Sequence, residues 1–192
     1  MQVYVEHVDS LSQDYSNTRA TLTGSPSGGV RTEAVSLSEP NFSVTLSEPS
    51  SGPAVSYGWI EIMNQATGEW VGGANTNQSG TAAMNLPADA TYDVTVNPSW
   101  NGDSSFTKKT YVVEVNAGGA LTSVKDSNAV TVAGAGSPVV YPLVLGTPSL
   151  TGLVRDSSGN AQADSWVAPI NHTTKEYLWY LGANTRSGGQ FS

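Results

Sequence analysis

The sequence predicts an all-β protein, built from tandem β-sandwich modules that repeat about every 108 residues. Three observations carry that expectation. Short runs of alternating apolar and polar residues are separated by Gly, Pro, Asn and Asp turns. No window of helical length carries apolar residues at i, i+3 and i+4. The first half of a central stretch, Val44 to Val96, recurs near the C-terminus.

The recurrence is the strongest of the three. Pro40 answers Pro148, Gly52 answers Gly159, Trp59 answers Trp166 and Asn64 answers Asn171. Gly73-Ala74-Asn75-Thr76 then meets Gly182-Ala183-Asn184-Thr185, and Ser79-Gly80 meets Ser187-Gly188. The two prolines stand 108 residues apart, and the offset drifts by a residue either way, as changes in loop length produce. The N-terminal arm follows the same period. Val3-Tyr4-Val5-Glu6 is similar to Tyr111-Val112-Val113-Glu114, and Val35 to Pro40 falls beneath Leu143 to Pro148. Residues 1–39 are therefore expected to be the tail strands of a preceding module, 40–147 a complete sandwich, and 148–192 the first strands of a following one. The chain reads as a section of something longer.

Within the complete module, strands are expected over Phe42–Leu46, Val55–Met63, Glu69–Gly73, Thr81–Leu86, Tyr92–Val96, Phe106–Val115, Ala129–Val132 and Val139–Leu145. Tyr92, Val94 and Val96 alternate with Asp93 and Thr95, the mark of one buried and one solvated face. Turn chemistry falls between the strands, at Ser51-Gly52-Pro53, Ala66-Thr67-Gly68, Ser79-Gly80, Pro87-Ala88-Asp89 and Asn101-Gly102-Asp103.

Composition narrows the function. Hydrophobic residues make up 38% of the 192 and charged residues only 12%, with Ser, Thr, Asn and Gly filling the difference. That balance suits an exported β-protein, extracellular or at a cell surface. A net charge of −8 with eight scattered Lys and Arg excludes a nucleic-acid partner and a polybasic lipid contact. With no cysteine there is no disulfide, thiolate nucleophile or Cys-based zinc site. No apolar run reaches the roughly 18 residues of a spanning helix, so no membrane insertion is expected.

The order strand, Gly52-Pro53-Ala54-Val55, strand, Thr76 to Gly80, strand, Leu86-Pro87, Tyr92-Asp93-Val94-Thr95-Val96 resembles the carboxypeptidase-regulatory-like and Cna-B-like sandwich modules. The second copy opens the same way, Thr151-Gly152-Leu153-Val154-Arg155-Asp156-Ser157-Ser158-Gly159. The resemblance covers residues 42–96 and 149–192. Two departures stand out. Ala90-Thr91 replaces the usual Gly before Tyr92, and Ala82 stands where an aromatic usually follows the Ser-Gly turn, a place that Phe191 fills in the second copy. The resemblance implies a transthyretin-like Greek key and a non-catalytic spacer, stalk or adhesin module of a bacterial surface protein.

His7 and His172 each lack a second imidazole nearby, and no Gly-x-Ser-x-Gly elbow is present, so an enzyme is not expected. Asp156, Asn160 and Asp164 make an oxygen-rich loop of the kind that holds Ca²⁺, although a plain hairpin turn accounts for the same residues. No cofactor is expected. Cna-B-like modules sometimes carry a Lys–Asn isopeptide, for which Lys108 or Lys109, Asn85 or Asn128, and Glu61 or Glu114 would serve. Edge lysines explain the same positions. Trp70, Trp100 and Trp179-Tyr180 suit a sugar-stacking platform, whereas Trp59 and Trp166, matched between copies, read as core.

The function expected is a structural repeat, a spacer, stalk, filament or sheath block packing end to end on neighbouring copies of itself. Incomplete sandwiches at the two ends would favour polymerisation by strand complementation. The alternative is an adhesin or carbohydrate-binding module, with a glycan partner on loop aromatics such as Trp100 and Trp70.

Overall fold

The computed structural model describes residues 2–5, 18–23, 28, 34–37, 39–99, 106–126, 131–132 and 139–192. The protein is all-β and divides into two compact units. The first takes the described residues up to Ser99 and from Lys108 to Leu145; the second takes Phe106, Thr107 and everything from Gly146 onward.

The first unit opens on an antiparallel pair, β1 (Gln2–Val5) and β2 (Thr18–Thr21). Eight strands follow: β3 (Phe42–Ser47), β4 (Gly58–Asn64), β5 (Trp70–Asn75), β6 (Thr81–Met84), β7 (Ala90–Ser99), β8 (Lys109–Val115), β9 (Leu121–Lys125) and β10 (Val140–Val144). They form two sheets, one in the order β10-β3-β6 and one in the order β5-β4-β7-β8-β9. Every pairing is antiparallel except that of β10 with β3.

The alternation seen in the sequence explains the core, because in a strand every second side chain points to the same face. Phe42, Val44 and Leu46 of β3 are completely buried, as are Ile60 of β4, Val94 and Val96 of β7, Val113 of β8 and Val124 of β9. Met84, Leu86, Tyr92, Tyr111, Leu143 and Leu145 close the same core. Each such side chain contributes about 1.5–3 kcal/mol relative to an exposed one. Tyr111 ties the two sheets together. Its hydroxyl donates to the Val144 carbonyl at 3.0 Å and accepts from the Val144 N–H at 2.9 Å.

Several expected boundaries move, for local reasons. The strand expected from Val55 begins at Gly58, because Tyr57 takes a positive φ of 57° and the Val55 N–H turns back to the Leu46 carbonyl. The strand expected to reach Leu86 stops at Met84; the Leu86 N–H is taken instead by the Asn41 side chain at 2.8 Å. The strand expected from Phe106 begins at Lys109, since Thr107 pairs with Gly146 in the other unit. β9 was not foreseen. Of the strand expected over Ala129–Val132, Ala129 and Val130 lie outside the described residues, and Thr131 makes a single bridge to Lys125.

The second unit carries four two-residue strands: β11 (Gly152–Leu153), β12 (Trp166–Val167), β13 (Ala183–Asn184) and β14 (Gln190–Phe191). β11 pairs with β14 and β12 with β13, both antiparallel, and a 3-10 turn covers Trp179–Leu181.

Candidate functional site

The second unit repeats many of the turn and side-chain hydrogen bonds of the β3–β6 frame. Asn64 folds its side chain over the following turn, accepting from the N–H groups of Ala66 and Thr67. Asn171 does the same for Thr173 and Thr174. Asn suits this place because its short amide mimics a backbone turn. The Glu69 carbonyl then takes the Asn64 N–H at 2.8 Å, and the Glu176 carbonyl takes that of Asn171 at 2.9 Å.

A threonine locks each frame. The Thr76 hydroxyl accepts from the Gly58 N–H at 2.9 Å and donates to the Val55 carbonyl at 2.5 Å. The Thr185 hydroxyl accepts from the Ser165 N–H at 2.9 Å and donates to the Gln162 carbonyl at 2.6 Å. Both threonines are buried, at 1% and 3% exposure, and each satisfies two main-chain groups that would be costly to bury unpaired. Each is preceded across the ladder by a residue of positive φ, Tyr57 at 57° and Asp164 at 55°, whose N–H bonds the threonine carbonyl.

Glycines set two close approaches. A Cβ on Gly73 would collide with the Trp59 ring, and one on Gly182 with the Trp166 ring, so each indole lies flat on its neighbouring strand. Trp59 and Trp166 are therefore not core residues as expected: Trp59 is half-buried and Trp166 is 50% exposed. The Trp166 Nε1–H donates to the Tyr177 hydroxyl at 2.7 Å. Gly80 (φ 72°) and Gly189 (φ 74°) sit at matching turns and present their carbonyls to Leu46 and Val154. The turn glycine matching Gly80 is thus Gly189 rather than Gly188, which keeps the 109-residue offset of Thr76 and Thr185.

The two frames differ in what covers them. Phe42, Leu46 and Ile60 are completely buried. Their counterparts are Leu150 at 65% exposure and the half-buried Val154 and Val167. Leu181, in the place of the buried Gly72, is 55% exposed. One pair has exchanged sizes. Val44 stands opposite Ala82, whereas Gly152 stands opposite Phe191, whose ring occupies the space a Gly152 Cβ would need. The bare face of the second unit is the candidate functional surface.

The residues singled out by sequence are dispersed. The Asp156 carboxylate accepts from the N–H groups of Ser158 (2.9 Å) and Asn160 (2.8 Å) and from the Asn160 amide (3.0 Å). The Asn160 side chain above all, then its N–H, holds the Asp156 carboxyl below its ordinary range. Asp164 belongs to the turn before β12. Among the described residues, no group of three or more His, Cys, Asp or Glu stands close enough to hold a metal.

The isopeptide set is not brought together either. Lys109 meets Asp126 at 3.5 Å and lies over the Tyr111 ring, while Asn85 donates to the Glu39 carbonyl. Glu114 pairs with Lys125 at 2.9 Å, and the hydrogen bond from Lys125 pulls its carboxyl down. Glu61 is half-buried on β4 and Lys108 is exposed just before β8. Trp70 is half-buried on the edge strand β5, Trp179 is 66% exposed and His172 is exposed. His7, Trp100, Asn101 to Asp103 and Asn128 lie outside the described residues, as does the side chain of Tyr180.

The chain has no match among known protein families, curated proteins or solved structures.

Proposed function

We propose that this chain is a non-catalytic structural repeat, a stalk, filament or sheath block of an extracellular or cell-surface protein whose modules follow one another every 108 residues or so. One observation carries the reading. The turn, threonine and ladder bonds of β3–β6 recur 107–109 residues further on, which a chance likeness of composition would not produce. The crossing of the chain between two sheets, with β10 beside β3, also supports the likeness to carboxypeptidase-regulatory-like and Cna-B-like modules. The Ser-, Thr- and Asn-rich, cysteine-free composition supports export.

Concatemers test this reading. One, two and three copies of residues 40–147 are expected to fold, with a maximum dimension in small-angle scattering that grows by equal steps per copy. Copies that fail to fold singly, or that collapse into one globule, would sink it.

The exposed pair Trp166 and Tyr177, joined by a hydrogen bond, favours a second reading, glycan binding on an aromatic surface. Glycan-array binding by the full chain, lost on Trp166→Ala, would put that reading first.

A further inference from the structure

We infer that the Tyr111 hydroxyl and Pro142 together shut the outer edge of β10, so that the first unit does not take up a strand of a second copy along that flank. The inference goes beyond the repeat reading and does not depend on it.

Among the described residues, the two sheets that share the core have four edge strands, β10 and β6 in one and β5 and β9 in the other. An edge presents main-chain N–H and C=O groups that can template another chain. Three of the four carry an obstacle in their own course. β6 spans only four residues, and β5 meets β4 through a register shift at Ile62 and Met63. β9 is met by Thr131, in a bridge to Lys125, and by the Val132 N–H, which donates to the Val124 carbonyl at 2.6 Å. β10 has none of these. It runs beside β3 in unbroken register from Val140–Ser43 to Val144–Ser47.

This edge is guarded in another way. In a parallel ladder every second residue turns both its main-chain groups toward the partner strand, and the residues between turn theirs away. The Leu145 N–H donates to the Ser47 carbonyl, so Leu145, Leu143 and Tyr141 face β3, while Val144, Pro142 and Val140 face outward. One oxygen satisfies both groups of Val144. The Tyr111 hydroxyl donates to its carbonyl at 3.0 Å and accepts from its N–H at 2.9 Å. Pro142 has no N–H, and proline is tolerated within a strand where its nitrogen points off the sheet. An incoming strand therefore loses both bonds it would make to Val144 and one of the two it would make to Pro142. Tyr111 is well placed for this task. It belongs to β8 of the opposite sheet and is 1% exposed, so core packing fixes the ring that delivers the hydroxyl.

Removing both obstacles in the full chain tests the inference. In the double variant Tyr111→Phe, Pro142→Val, β10 of one copy is expected to pair antiparallel with β10 of another. In sedimentation the mean mass is expected to rise with concentration toward twice that of the unaltered chain under the same conditions. Each single variant is expected to show a smaller rise in the same direction. Amide exchange gives a local readout: in dilute Tyr111→Phe the Val144 N–H is expected to exchange several-fold faster than in the unaltered chain. Tyr92→Phe is the control, because it removes a hydroxyl that bonds the Pro87 carbonyl at 2.7 Å and guards no strand edge. Its mass is expected to match that of the unaltered chain. A double variant whose mass does the same at every concentration would overturn the inference, as would an unchanged Val144 exchange rate. Equal association in Tyr92→Phe would also overturn it, since lost stability and not an opened edge would then be the cause. The concatemers of residues 40–147 keep both Tyr111 and Pro142, so the repeat reading stands or falls separately.

Discussion

The β3–β6 half of the first unit and the β11–β14 half of the second share their turn and threonine hydrogen bonds but not one state of burial. Thr76 and Thr185 are equally buried and hold equivalent N–H and C=O groups. Phe42, Leu46 and Ile60 are completely buried, whereas the matching Leu150, Val154 and Val167 are open or half-open. The difference separates two layers of folding information. Turns, side-chain caps and positive-φ residues are written in spans of a few residues and form wherever those spans occur. A core requires apolar faces brought in from distant strands, here β7–β10.

Substitutions sharpen the contrast. The largest effect is expected at Ile60→Ala, which leaves a cavity in a closed core and costs about 2–5 kcal/mol in urea unfolding. Val167→Ala, at the matching half-open place, costs under about 1 kcal/mol. Equal losses would mean that the second unit is as closed as the first.

The threonine locks predict the opposite pattern. Thr76→Val and Thr185→Val each leave a buried N–H and C=O without a partner, at about 1–3 kcal/mol apiece. Faster amide exchange is expected at Gly58 in one variant and at Ser165 in the other. An effect confined to Thr76 would break the equivalence of the two frames.

The exchanged pair sits between these extremes. Ala82→Phe overpacks the first unit by about 1–3 kcal/mol. Adding Val44→Gly, which recreates the pairing of Gly152 with Phe191, recovers part of the loss. A strictly additive double variant would show that the two sites do not share one space.

The smallest effect belongs to Asp156. Its carboxyl titrates below the ordinary range in the folded state, so its contribution to stability is present above the unfolded pKa and fades as pH falls through the folded one. Asn160→Ala removes the principal cause and is expected to return the carboxyl toward its ordinary range by NMR titration. An unmoved titration would mean that the backbone N–H groups alone suffice.

Much of this was legible in residue order. The alternation through Tyr92, Val94 and Val96 foretold the buried face of β7, and the Gly-Ala-Asn-Thr recurrence marked the two stretches that carry the threonine locks without revealing what they do. What stayed hidden has physical reasons. In β9 only Val124 is buried, so Leu121-Thr-Ser-Val-Lys125 lacks the alternation that marks a strand. The shared Trp59 and Trp166 suggested core because a large aromatic usually packs inward, but glycine on the neighbouring strand lets the indole lie flat on the outside. The role of Tyr57 was invisible, since a tyrosine does not announce a positive φ, whereas Asp164 is of a type that takes one more readily. The bare face could not be read at all, because exposure depends on what lies across the fold.

The parallel ladder between β3 and β10 joins the first and the last of the eight strands of the two sheets. Tension applied at the two ends of the module therefore pulls these strands in opposite directions along their length. The ladder from Val140–Ser43 to Val144–Ser47 is loaded in shear, all of its bonds sharing the force together, and not unzipped one at a time. Strung in an array of the kind proposed above, the unit would resist stretching at the very contact that closes it.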